Sequence, residues 1–291
     1  MILPNEPQTA RDVSGHYDEL DRAYRDIWGE HVHHGYWLSG RESPAEAAEA
    51  LVRLVAERLE VAPGQDLCDI GCGYGATAGW LAEHRQAKVT GFTISEAQAA
   101  IARARAERVP GLTIFCRDWL ANGLPDAGFD RAYAIESSEH MVDKPHFFAE
   151  AARVLRPGGR FVVCAWLATE QPTAWEVRHL LEPICHEGRL PSMGSRSEYE
   201  AMAAEAGFTL CRYDDISRNV HRTWAICLRR TLARLFTDRD LRRLVLSQTT
   251  RNRLFLLSLP RLLWALRSGA MRYGVFVWEK TGSPPLAKVV N

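Results

Sequence analysis

Between residues 65 and 166, short apolar runs alternate with helical runs at near-even intervals, and few folds accept that order. QDLCDI (65–70), AKVTGFTI (87–94), LTIFCRD (112–118), FDRAYAIES (129–137) and RFVVCAW (160–166) read as strands. ATAGWLAEHR (76–85), SEAQAAIARARAERV (95–109) and HFFAEAARVL (146–155) read as the helices between them. Arg156-Pro157-Gly158-Gly159 reads as a turn before the fifth strand. Strands separated by helices lie parallel with helices on both faces, so the expected fold is α/β, a doubly wound, mostly parallel sheet. TLCRYDDI (209–216) and MRYGVFVWEK (271–280) bring the expected strands to seven. Ligands of such sheets sit outside the carboxyl ends of the strands, where the strand order reverses.

The flanks fix the expected domain plan. A helical run opened by Ser43 and Pro44 precedes the first strand, and SRSEYEAMAAEAGF (195–208) precedes the sixth. Residues 1–60 are expected as an N-terminal helical lid and 61–291 as the core. Stretches 167–195 and 221–268 are expected as helical insertions covering the sheet's carboxyl edge. A chain of 291 residues accommodates one large α/β domain of this kind.

The loop after the first strand carries the first chemistry. In LCDIGCGYGAT (67–77), Gly71, Gly73 and Gly75 alternate with other residues, and Asp69 stands two positions before the first glycine. A dinucleotide loop has the spacing GxGxxG and sets a pyrophosphate on the next helix. Here the spacing is GxGxG, and the acid would repel phosphate. Asp69 suits a ligand with an ammonium, and the glycines allow close backbone approach and positive φ.

DIGCGYG resembles the first motif of class I S-adenosylmethionine-dependent methyltransferases. GFTISEAQ (91–98) and AIESSEHM (134–141) resemble segments of one subset, the tocopherol methyltransferases, cyclopropane fatty acid synthases and mycolic acid methyltransferases. The resemblance covers nearly the whole chain, closely over 66–166 and loosely beyond 170. It implies S-adenosyl-L-methionine as cofactor. It places Thr93 and Gln98 at the ribose, where other class I enzymes use an acid, and Asp118 and Trp119 of CRDWLANGLP at the adenine. It places Glu136 beside the sulfonium, and Glu139 and His140 as catalytic groups. Histidine is a usable base near neutral pH. HVHHGYW (31–37) resembles the HMHHG segment of the tocopherol group, so His33 is expected to line a lid over the methionine end, with Gly35 and Tyr36. Tyr17 of GHYDEL is expected to bond the cofactor's carboxylate. The histidine cluster also raises a metal, but no distant ligand set completes one, so no metal is expected.

The implied reaction is methyl transfer to a hydrophobic or amphipathic small molecule: a phenol-like compound, polyketide, terpenoid or prenylated ring. O- or C-methylation is favoured. The alternatives are cyclopropane formation, N-methylation, or a cofactor-binding cyclase that does not methylate. A dinucleotide-dependent oxidoreductase is disfavoured by the loop spacing. Trp224, Phe236, Leu254–Leu257, Leu262, Leu263 and Trp264 are candidates for an apolar roof.

Charge sets the expected partners. The formal net charge is zero, so no nucleic acid is expected. Yet Arg218–Arg272 holds thirteen arginines, no lysine, and only Asp238 and Asp240 as acids. That stretch is either a solvated basic face or a weak peripheral contact with anionic lipid. A homo-oligomer is admitted. The start, MILPNEPQTARD, has no signal-peptide pattern, and the seven scattered cysteines suit buried free thiols in a reducing cytoplasm.

Overall fold

A computed structural model describes residues 1–246 and 253–281, apart from the side chains of residues 240, 244–246 and 253–257. Its elements follow in chain order: α1 (Ala10–Ile27), α2 (Pro44–Leu59), β1 (Asp66–Ile70), α3 (Ala76–Arg85), β2 (Lys88–Thr93), α4 (Glu96–Ala106), β3 (Leu112–Cys116), β4 (Phe129–Ile135), α5 (Lys144–Val154) and β5 (Leu155–Ala168). Then come α6 (Ala174–Glu176), a π-helical turn (Val177–Leu181), α7 (Glu182–Glu187), α8 (Arg196–Glu205) and β6 (Phe208–Asp215). The chain closes with α9 (Ser217–Val220), α10 (Arg222–Thr237), α11 (Arg239–Leu246), α12 (Arg253–Ser268) and β7 (Met271–Lys280).

The seven strands form one sheet in the order β3-β2-β1-β4-β5-β7-β6. The first five are parallel, and β7 runs antiparallel to both β5 and β6. Strand order reverses between β1 and β4, so the loops leaving these two strands diverge and open a crevice. The expected sheet is present, and each of the seven expected strands lies in it.

Local chemistry explains the element ends. Thr9 with Asp12, and Ser43 with Glu46, form reciprocal capping boxes on α1 and α2. Gly75, at φ 70°, starts α3, and Asp143 caps α5 through the His146 amide at 2.9 Å. The expected turn at 156–159 differs. Leu155 pairs with Phe129 and Arg160 with Arg131, so 156–159 bulge out of a β5 that runs straight through.

Helix α2 packs on β4 and β5, and its Leu51, Val55 and Leu59 join the main core. Helix α1 lies over α4 and against α10 instead. Asp18 of α1 accepts from Ser95 Oγ (2.6 Å) and the Ala97 amide (3.2 Å), so α1 supplies a carboxylate to the N-terminus of α4. All seven cysteines are free; five are buried, Cys116 is half-buried and Cys211 is exposed. Among the described residues no helix is long and apolar enough to cross a membrane.

Candidate active site

The glycine loop folds as it does because its neighbour is close. Gly71 has φ 88°, and a Cβ there would stand 2.3 Å from the Cβ of Ser137, in the loop after β4. Ser137 Oγ in turn donates to the Ile70 carbonyl. The two diverging loops are thus in contact at their roots. Gly73 (φ 53°) faces open space on the cleft. Gly75 does not line the cleft; it packs against Ala102, 3.2 Å from a built Cβ, and lets α3 approach α4.

A cleft of about 770 Å³ opens along the carboxyl ends of β1, β2, β3 and β4. It brings together Tyr17, Gly71, Gly73, Thr93, Gln98, Asp118, Trp119, Glu136 and His140. Thr93 Oγ1 donates to Gln98 Oε1 (2.8 Å), and Asp118 Oδ1 accepts from the Leu120 amide (2.9 Å). Trp119 is buried edge-on to Phe92. Arg117, Leu120, Met141 and Val142, which the sequence reading passed over, complete the far end.

A second hollow, of about 340 Å³, continues from the glycine loop and holds Asp69 and His33. Asp69 is buried and accepts from Tyr133 Oη at 2.8 Å. Burial lifts its carboxyl to about 7, against the pull of the Tyr133 bond. His33 Nδ1 donates to the His34 carbonyl (2.8 Å), and burial lowers its pKa. Among the described residues no group of three or more potential ligands is arranged to hold a metal.

A third cavity, of about 440 Å³, adjoins the cleft on the lid side. Its walls include Tyr24, Trp28, Trp166, Trp224 and Leu190, with Glu139. Tyr17, Val32, Glu136 and His140 line both this cavity and the cleft, so they mark the junction.

Glu136 has φ 52°, strained for a side chain with a Cβ. Its carboxylate accepts from the His34 amide (2.6 Å), His34 Nδ1 (2.8 Å), Trp166 Nε1 (3.0 Å) and Tyr273 Oη (2.8 Å). Burial alone would raise its pKa, but His34, His33 and the backbone amide outweigh it and hold Glu136 at about 2. These contacts favour its ionised form. Glu139 is different: burial lifts it to about 7, although the Trp166 amide donates to it at 2.5 Å.

His140 is neutral, because burial drives its pKa down to about 4 against the Arg189 bond. Nδ1 lies 3.3 Å from the Arg189 carbonyl, which only accepts, so Nδ1 carries the proton. Nε2 is left as an acceptor and receives Tyr17 Oη at 2.9 Å. Tyr17, expected at the cofactor's carboxylate, therefore puts its hydroxyl on His140, and burial raises its pKa strongly.

The expected apolar roof is largely redistributed. Trp224 walls the third cavity, Leu262 is in the core, and Leu263 packs against it. Phe236 and Trp264 are 84% and 58% exposed and roof nothing. The side chains of Leu254–Leu257 lie outside the described residues. The sequence reading missed His34, Trp166 and Tyr273. Trp166 had a signal, because it ends a strand on the ligand-binding edge; Tyr273 had none, since its place depends on the antiparallel register of β7.

A family model described as Mycolic acid cyclopropane synthetase matches residues 5–252. The chain is 32% identical over 244 residues (78% of this chain, 67% of the other) to a probable chloroplastic tocopherol O-methyltransferase of Oryza sativa subsp. japonica. It is 34% identical over 220 residues (74% and 80%) to the 27-O-demethylrifamycin SV methyltransferase of Amycolatopsis mediterranei. Its fold matches that of the mycolic acid cyclopropane synthase CmaA1, crystallised with SAH and CTAB, at a TM-score of 0.83, 21% identity and coverage of 94% and 99%. The chain belongs to the mycolic acid cyclopropane synthetase family and is an S-adenosylmethionine-dependent methyltransferase.

Proposed function

We propose that this enzyme methylates a hydroxyl of a neutral, hydrophobic small molecule, a phenol-like compound, polyketide or terpenoid, held in the aromatic cavity beside the cleft. The observation that carries the reading is His140: a neutral imidazole whose Nε2 lone pair faces the junction of the two cavities.

The residues fit the cofactor in order along the cleft. Asp69 and the Gly71–Gly73 backbone suit the amino-acid end, Thr93 and Gln98 the ribose, and Asp118 with Trp119 the adenine. Glu136, ionised at the junction, suits a cation there. The bound cofactor supplies a methyl group on a positively charged sulfonium. Tyr24, Trp28, Trp166 and Trp224 hold the acceptor's apolar body and exclude water. As the acceptor hydroxyl takes the methyl group, its proton passes to His140 Nε2, displacing the Tyr17 hydroxyl from that lone pair. Glu136 and Glu139 line this cavity, which disfavours an anionic acceptor.

The relatives' names support a hydroxyl acceptor, since they include a probable tocopherol O-methyltransferase and a 27-O-demethylrifamycin SV methyltransferase. In this reading α1 is the lid, because it carries Tyr17 to the junction. Exposed Leu232, Phe236 and Trp264, with exposed Arg229, Arg239 and Arg267, support a weak contact with anionic lipid from which an amphipathic acceptor enters.

The test is incubation with methyl-labelled cofactor and paired acceptors, each a neutral phenol or alcohol with its carboxylate analogue. Label in methyl ethers of the neutral members is expected. Label only on carbon or nitrogen, or only in the carboxylates, overturns the reading. Flotation with anionic vesicles at low salt tests the lipid contact; no co-flotation removes it.

A further inference from the structure

Lys144 opens α5, yet only 2% of it is exposed. Among the described residues no carboxylate lies within ion-pair distance of its ammonium. Nζ instead donates to the carbonyls of Glu139 (3.1 Å), Met141 (3.4 Å) and Ser192 (3.0 Å), and to Ser192 Oγ (2.9 Å). The nearby Glu139 carboxyl favours its charge, but burying an ammonium with no carboxylate in direct contact is still costly, and a methionine fills similar space without that cost.

The four acceptors belong to two segments that meet at His140. Glu139 and Met141 flank it in the turn after β4. Ser192 sits three residues beyond Arg189, whose carbonyl receives His140 Nδ1–H. Arg189 is itself held in a left-handed conformation, φ 55°, and its guanidinium bonds Gln8 Oε1 at 3.2 Å. A strained residue stays in place only where its surroundings fix it. Its neighbours Gly188 and Leu190 line the acceptor cavity.

We propose that Lys144 is a positioning residue for His140: it ties the Glu139–Met141 turn to the Gly188–Ser192 segment and so holds the Arg189 carbonyl on Nδ1, fixing the tautomer whose Nε2 takes the proton. The inference rests on His140 as base, but its first readout does not.

The protein is labelled with ¹⁵N-histidine, bound to S-adenosylhomocysteine, and its His140 tautomer is read from long-range ¹H–¹⁵N spectra. The wild type shows the Nδ1–H form. Lys144→Met shows a mixture of tautomers. With an acceptor from the panel above, its kcat falls about 10- to 100-fold, within the range a positioned base supplies. Affinity for S-adenosylhomocysteine stays within about twofold, as no cofactor contact is removed. An unchanged tautomer in Lys144→Met that binds S-adenosylhomocysteine overturns the proposal. If that variant does not fold, Ser192→Ala, which removes the 2.9 Å contact, decides in its place. A minor second tautomer is expected there, and none overturns the proposal. A shifted tautomer with unchanged kcat upholds the hold of Lys144 on His140 and removes His140 as base.

Discussion

The proposed placement of the cofactor's ammonium at Asp69 makes binding a proton-linked event whose size follows from the surroundings of that carboxyl. The carboxyl is buried at the end of β1 with Tyr133 Oη donating to it, and burial holds its pKa at about 7. An ammonium placed beside it favours the ionised form, so binding expels the proton that the free enzyme carries near neutrality. The sign follows. Above about pH 7 the carboxylate is already ionised and affinity is insensitive to this group. Below it, affinity falls as the free carboxyl protonates, toward a limit of tenfold per pH unit. Between pH 8 and pH 6 the loss is about tenfold for a single group of pKa about 7. If the ligand returns the group to the ordinary aspartate range, the full coupling is about three pH units, or roughly 4 kcal/mol. The ligand's own amine also titrates, so the measurement is a ratio. Calorimetry with S-adenosylhomocysteine compares wild type with Asp69→Asn, which keeps an acceptor for Tyr133 but has no charge. The affinity ratio should be about tenfold larger at pH 8 than at pH 6, and only the wild type should lose the corresponding proton on binding. A ratio constant across pH 6–8 refutes the placement of an ammonium at Asp69.

Three other perturbations probe separate parts of the site. Gly71→Ala puts a Cβ 2.3 Å from that of Ser137 at φ 88°, so it should abolish S-adenosylhomocysteine binding. Adding Ser137→Gly should recover most of it, leaving about 1 kcal/mol for the left-handed backbone; calorimetry on the double variant checks this, and no recovery shows the loops are not coupled there. His140→Ala should lower kcat by about 10²- to 10⁴-fold with cofactor affinity unchanged, measured as turnover at saturating cofactor. Trp28→Ala should raise the acceptor KM by on the order of tenfold or more through lost apolar contact, again with cofactor affinity unchanged by calorimetry.

What was legible in the chain follows from which forces fixed each part. The parallel half announces itself because each strand and helix carries its own period, and β1 to β5 appear where the alternation put them. The shared edge of Asp69, Thr93, Asp118, Glu136 and His140 was legible for the same reason: strand order determines where the loops after the strands lie. The contact between Tyr17 and His140 was not legible, because only the tertiary packing of α1 brings that hydroxyl to the imidazole. His34, Trp166 and Tyr273 converge on Glu136 from a loop, a parallel strand and an antiparallel strand, a meeting that no local pattern encodes. The roof residues misled because helical apolar spacing does not distinguish a wall of a cavity from a core face, and Phe236 and Trp264 are on neither. The division has a functional consequence. The cleft proposed for the cofactor is built chiefly from loops that the sheet fixes. The cavity proposed for the acceptor is built by α1, the 188–190 segment and α10 closing on the ends of β4 and β5. On the proposed assignment of the two cavities, changes in those covering segments alter the acceptor preference while leaving Asp69, Gln98 and Asp118 in place.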